Sequence, residues 1–117
     1  MPQVTPKKPY YPLEEVQEKI RYGHFEINSN ALDDAWDIFR WRPDKIKQCL
    51  LKLNDRDYAI APNKNHFFKK EAHRHIPHTM MDYYKAKNIM EGESVYIHFY
   101  VRNSDGKVVI SSFHELD

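Results

Sequence analysis

The stretch 94–115 constrains the fold of this chain more than any other part. Odd positions Val95, Ile97, Phe99 and Val101 are apolar, while even positions Tyr96, His98, Tyr100 and Arg102 are not. A period of two marks a half-buried β-strand, because successive side chains point to opposite faces. Ser104-Asp105-Gly106 supplies a turn, and 107–115 reads as the returning strand. A three-residue loop, with Gly106 in the left-handed conformation of its bulge, places Val101 opposite Val109, Ile97 opposite Phe113 and Tyr96 opposite His114. Val109 and Phe113 then join the buried face, and the Tyr/His/Tyr/Arg set lies on an open one. A two- or four-residue loop sets His114 against Ile97 or Val95, so the pattern favours three residues. Tyr96 and His114 become direct neighbours, with Cβ atoms roughly 4.5–5.5 Å apart. A phenol and an imidazole at that spacing can reach one phosphodiester; an ordinary Tyr–His surface pair is the alternative.

Helical signals come earlier. Pro12 suits a first helical position, Glu14 and Glu15 favour the first turn, and Gly23 stops the helix, with Leu13, Val16 and Ile20 on one face. Residues 24–28 alternate as a short strand with Phe25 and Ile27 inward. Asn28 or Ser29 can cap a second helix carrying Ala31, Leu32 and Ala35. Phe39 to Trp41 make a bulky connector. Pro43 opens a third helix, in which Ile46, Cys49, Leu50 and Leu53 recur at helical spacing. Short strand pieces follow at 58–60 and 66–68, then a loop at 73–78 and a strand at 79–84. Helices first and strands last predict an α+β domain, with N-terminal helices on one face of a curved, mostly antiparallel sheet ending in a C-terminal β-hairpin. Residues 1–11 read as an exposed arm and 12–117 as a single domain.

Composition narrows the function. The 117 residues are 41% hydrophobic and 30% charged, enough for one core and too apolar for a disordered chain. No apolar run approaches a membrane span, the N-terminus does not read as a secretory signal, and the single cysteine, Cys49, has no internal disulfide partner. A cytoplasmic location is the expectation. The net charge of +1 excludes a globally basic nucleic-acid binder, yet residues 62–90 hold six basic and two acidic residues, leaving −3 elsewhere. One basic face suits an anionic partner. A solvated loop of mixed polarity is the alternative, and Asp33, Asp34 and Asp37 read as a solvated helix face.

Several segments, in order, resemble the MqsR family of toxins within the RelE-like ribonuclease superfamily. They are 9–16 (the opening helix), Gly23 with the following strand, Ser29-Asn30-Ala31-Leu32, His66-Phe67-Phe68-Lys69, His78-Thr79, Asp82-Tyr83-Tyr84-Lys85, Gly92, Val95-Tyr96-Ile97, Asp105-Gly106, and Val108 to Phe113. The resemblance implies a RelE-like fold, an endoribonuclease cleaving mRNA, and a cognate antitoxin as partner. By position it implies roles for Lys69, after the aromatic pair, and for the hairpin tyrosine Tyr96. Met80-Met81 stand where the family usually has Trp-Gln, and His114 stands where it usually has lysine; histidine near the end of the last strand is similar to other RelE-like toxins.

RNA can be cut without metal or cofactor, because its own 2′-OH is the nucleophile. Histidine suits the proton transfers, with an ordinary pKa of about 6.5. The expectation is that His114 is general acid or base, and that Lys69 and Tyr96 orient or stabilise the phosphate. Arg74, Lys85, Lys87, Lys64 and Lys70 would hold neighbouring phosphates, and His98 and Tyr100 would contact bases. Two other readings compete. One is a non-catalytic RNA- or protein-binding module using the Tyr96, His98 and Tyr100 face. The other is a metal site built from His66, His73, His75 and His78, for which an exposed basic loop is the simpler reading.

Overall fold

The computed structural model describes residues 10–54, 70–72 and 80–115, with residues 70–72 and 80 described by backbone alone. Among these are three helices and five strands: α1 (Leu13–Arg21), β1 (Phe25–Ile27), α2 (Ser29–Phe39), α3 (Pro43–Lys52), β2 (Lys70–Ala72), β3 (Met80–Met90), β4 (Glu93–Val101) and β5 (Val108–Glu115). The sheet is mixed, in the order β1-β5-β4-β3-β2. Three neighbour pairs are antiparallel, and β1 runs parallel to β5. The expected α+β class and hairpin are therefore present. The strand pieces expected at 58–60 and 66–68 and the loop at 73–78 lie outside the described residues.

Local chemistry explains the helices. In α1 the acidic Glu14 and Glu15 sit in the first turn and Lys19 and Arg21 in the last, as the helix dipole favours. Pro12 stands one residue earlier than expected, at the N-cap, where its carbonyl accepts the amides of Glu15 and Val16 at 3.1 Å. Leu13, Val16 and Ile20 are buried. Gln17 Nε2 donates to the carbonyls of Leu50 (3.1 Å) and Leu53 (2.7 Å) at the C-terminal end of α3, where Leu50 O also accepts the amide of Leu53 (3.3 Å). Helix α2 extends through Phe39, so that residue belongs to the helix rather than the connector; it stops at Arg40, whose φ of 62° is left-handed. The rings of Phe39 and Trp41 stack at 4.7 Å. Pro43 opens α3, and Ile46, Cys49 and Leu50 are fully buried, which makes Cys49 a packing residue.

The helices cover one face of the sheet. Tyr84, Ala86, Val95, Ile97, Phe99, Val108, Ile110 and Phe113 are all at 0% exposure on it. Phe113 meets Phe39 and Trp41 edge-on at 6.0 and 6.1 Å. Among the described residues one buried charged side chain shares this face. Asp82 pairs with Phe99 and is fully buried, and its two carboxylate oxygens accept the amides of Tyr10 and Tyr11, each at 2.8 Å. The end of the expected arm is thereby tied to the sheet.

The hairpin corrects the sequence reading at its turn and agrees with it at its far end. Gly106 N donates to Arg102 O (2.7 Å) and Arg102 N to Lys107 O (2.8 Å), closing a four-residue loop, 103–106, rather than a three-residue one. Val101 faces Val108, Tyr100 faces Val109 and Phe99 faces Ile110. A register shift follows, after which His98 faces Ser112, Ile97 faces Phe113 and Tyr96 faces His114. Ser111 is the extra residue of a β-bulge, which sets two residues against one. The bulge reconciles the longer loop with the expected Tyr96–His114 pair. It also reassigns the turn-side positions. Val108 and Ile110 face the helices, and Val109, expected inward, lies on the opposite face beside Tyr100.

Side chains lock the turn. The Arg102 guanidinium bonds both carboxylate oxygens of Asp105 (2.7 and 3.1 Å) and both of Glu26 on β1 (2.9 and 3.0 Å). These bonds from Arg102 hold the Asp105 carboxyl well below the usual carboxylate range and lower that of Glu26, while Asp105 and then Glu26 raise the guanidinium further. Elsewhere, Glu91 accepts from Lys45 and from Trp41 Nε1, and both bonds lower its carboxyl pKa, Lys45 more.

Candidate functional site

The face of the sheet away from the helices collects the chemistry. Alternation along β3 puts Tyr83 and Lys85 there, alternation along β4 adds Tyr96 and His98, and β5 adds His114. Register then sets them in two rows. Lys85 pairs with Tyr96, which pairs with His114; Tyr83 pairs with His98, which pairs with Ser112. Three neighbouring strands thus deliver a lysine, a phenol and an imidazole in line, with a second phenol and imidazole one step along.

The rings are in contact. Tyr96 and His114 stack at 4.9 Å between centroids with 11° between planes. Tyr83 and His98 stack at 4.7 Å and 27°. The edge-on contacts Tyr83–Tyr96 and Tyr96–His98, both at 6.1 Å, join the two stacks. Lys85 Nζ lies 5.5 Å from the Tyr96 ring centre, a cation–π distance. Lys85, Tyr96, His98 and His114 are half-buried and Tyr83 is buried, so the cluster is braced by packing while still reachable.

A backbone contact assigns the neutral tautomer of one imidazole. His114 Nδ1 lies 3.1 Å from the backbone oxygen of Glu115. A carbonyl oxygen only accepts, so Nδ1 donates, and the neutral ring keeps its lone pair on Nε2. The bond also orients the ring, since its partner is backbone. His114 therefore offers a proton acceptor beside a phenol and a lysine.

The other residues expected at the site do not join these two rows. Tyr100 lies on this face but is 7% exposed and paired with Val109, so it is buried rather than presented to solvent as expected. Arg102, the last of the even set, is held by Glu26 and Asp105 in the turn. Lys87 is exposed on β3, two residues beyond Lys85. Lys70 falls in β2 opposite Asp82. Lys64, Lys69 and Arg74 lie outside the described residues, as do His66, His73, His75 and His78. Among the described residues no group of three His, Cys, Asp or Glu side chains converges as metal ligands would.

Tyr83 was not among the expected site residues. Its signal was available: Met81, Tyr83 and Lys85 alternate with Asp82, Tyr84 and Ala86, a period of two that puts Tyr83 and Lys85 on one face. Neither a protein-family model nor a curated protein matches this chain significantly.

Proposed function

We propose that this protein is the toxin of a toxin–antitoxin pair, a metal-independent endoribonuclease of the RelE-like and MqsR kind that cuts mRNA in the cytoplasm. The observation that carries the reading is the row Lys85–Tyr96–His114 on a face free of the helices. The sequence resemblance supports the toxin assignment and the antitoxin partner.

In this mechanism a phosphodiester lies over Tyr96. The phenol and the Lys85 ammonium bind the non-bridging oxygens and stabilise the extra negative charge of the phosphorane. His114 Nε2, already an acceptor, takes the 2′-OH proton. The oxyanion attacks phosphorus in line, and the P–O5′ bond breaks. Lys87, with the basic residues Lys64, Lys69 and Arg74, holds flanking phosphates.

The test is incubation of purified protein with a messenger RNA in EDTA. Wild type cuts; His114→Ala lowers the rate by about 10²–10⁴-fold, the usual worth of a positioned acid or base, and Tyr96→Phe also slows cutting. Cutting at the wild-type rate by both variants removes these residues from the mechanism. A second reading is a non-catalytic RNA-binding module, favoured by the stacked rings, which resemble a platform for bases. It requires RNA that is retarded on a gel and intact.

A further inference from the structure

The outward face of α2 takes no part in the site. Ala31, Ala35 and Phe39 are buried and turn the other side of the helix into the core. Asp33, Trp36, Asp37 and Arg40 are all exposed. Their spacing of i, i+3, i+4 and i+7 sets them on one stripe. Arg40 follows the last helical residue, and its guanidinium stays on the stripe, 5.3 Å from the Trp36 ring centre. Arg42, at the N-cap of α3, brings a second guanidinium to 5.0 Å from the same ring.

This stripe is unfavourable for a chain on its own. Trp36 is 41% exposed to water. Asp33 and Asp37 are like charges one turn apart, which destabilises a helix. Asp37 also sits in the last turn of α2, where the dipole disfavours an anion and no basic residue answers it. Cations are close by, yet among the described residues no ion pair joins either aspartate to Arg40 or Arg42. The order of the charges identifies what fits. Asp33 opens the stripe, Arg40 closes it, and Trp36 and Asp37 lie between. An acidic peptide or an RNA backbone meets Arg40 and Arg42 but is repelled by Asp33 and Asp37, and a basic partner has the opposite fault. The complement is the same order run in reverse, which an antiparallel second copy of α2 supplies. With a two-fold axis between positions 36 and 37, Asp33 of each copy faces Arg40 of the other. Asp37 of each then faces the other copy's Trp36, whose ring carries the Arg42 guanidinium.

We propose that this chain forms a weak two-fold dimer through antiparallel α2 helices. The packing brings the two indoles together near the axis and sets opposite charges against each other on both sides of it. The stripe is only about 10 Å long, far short of the roughly 800 Å² per partner that a stable interface buries. The dimer therefore belongs to the weak class, with a Kd of about 0.1–1 mM. Because α2 lies on the helix side of the sheet, the row Lys85–Tyr96–His114 stays uncovered in the dimer.

Charge reversal tests both the dimer and its register. Sedimentation equilibrium of the full chain at low salt, up to about 1 mM, shows wild type dimerising, and added salt weakens it. Asp33→Arg alone and Arg40→Asp alone each set like charges opposite one another and raise the Kd about 10-fold or more. Mixed in equal amounts, the two variants form a heterodimer within a few-fold of the wild-type affinity, because one copy presents two cations and the other two anions. A wild-type chain that stays monomeric overturns the proposal. So does a dimer indifferent to both reversals, or a mixture that associates no better than its parts. A monomer whose binding of a short RNA falls with Arg40→Asp gives the stripe to nucleic acid instead. Thermal melts identify folded variants, and Asp33→Lys with Arg40→Glu carries the same comparison if either of the first pair melts early. The measurement reads assembly alone, so its outcome is independent of whether the chain cuts RNA.

Discussion

Replacing Asp82 tests how the N-terminal end of the described chain is secured. Its carboxylate is fully buried on the apolar face and accepts two backbone amides at 2.8 Å. Hydrogen bonds to a charged group contribute about 1.5–3 kcal/mol each. Asp82→Ala removes both acceptors and leaves the amides of Tyr10 and Tyr11 unpaired at a partly buried site, so the expected loss is about 4 kcal/mol. A chain of this length holds roughly 6–17 kcal/mol in total, so the variant keeps its fold with a much reduced margin. At about 4 °C per kcal/mol, its Tm falls by about 15 °C. Asp82→Asn keeps one acceptor oxygen but turns an amide N–H₂ toward an N–H donor, and it lies between wild type and alanine. Urea melts followed by the fluorescence of Trp41, which is stacked on Phe39, measure the loss. A shift below about 1 kcal/mol for Asp82→Ala refutes the reasoning, because it means the two amides are satisfied equally well without the carboxylate.

The turn clasp gives a pH dependence. Asp105 and Glu26 have folded-state pKa values below their unfolded ones, so their stabilisation is present above the unfolded carboxylate pKa and is lost as pH falls through the folded one. Amides of 103–108 should exchange faster, relative to intrinsic rates, at pH 3 than at pH 6, and Arg102→Gln should remove most of that difference. Gly106→Ala forces a Cβ onto a residue with φ of 75°, against Lys19 Nζ at 3.5 Å and His24 Nε2 at 3.7 Å; a loss of about 1 kcal/mol is expected in chemical denaturation. Lys85→Met should weaken RNA binding and reduce the slope of log K against log salt by about 1, and an unchanged slope would remove Lys85 from the phosphate contacts.

Local signals made much of this fold legible. Gly23, Pro43 and the helical spacing of Leu13, Val16 and Ile20 act within a turn or two of themselves, and the helices lie close to where these residues place them. The period of two at 94–102 likewise fixes which side of β4 is buried. The loop length was not legible, because Ser104-Asp105-Gly106 suits a three-residue turn and Ser111 carries no mark of a bulge. Three consecutive apolar residues, Val108, Val109 and Ile110, fit either register, and the sheet chooses by burying Val108 and Ile110 under the helices. Asp82 reads as a polar residue and is instead buried, since its partners are amides more than seventy positions away. Within the site, Tyr96 and His114 were paired correctly because the bulge compensates for the longer loop. Tyr100 was placed in the open because alternation gives the face and not what covers it.

The parallel pairing of β1 with β5 joins Phe25 to Val108 and Ile27 to Ile110, contacts between distant parts of the chain. Closing so long a segment carries an entropy cost before any favourable contact forms, and topologies of this kind fold slowly. The strand that bears His114 is therefore flanked on one side by a segment made early in synthesis and on the other by its hairpin neighbour. Neither the helical portion nor the isolated hairpin presents the complete arrangement. The row Lys85–Tyr96–His114 is thus complete only once β3, β4 and β5 have all paired.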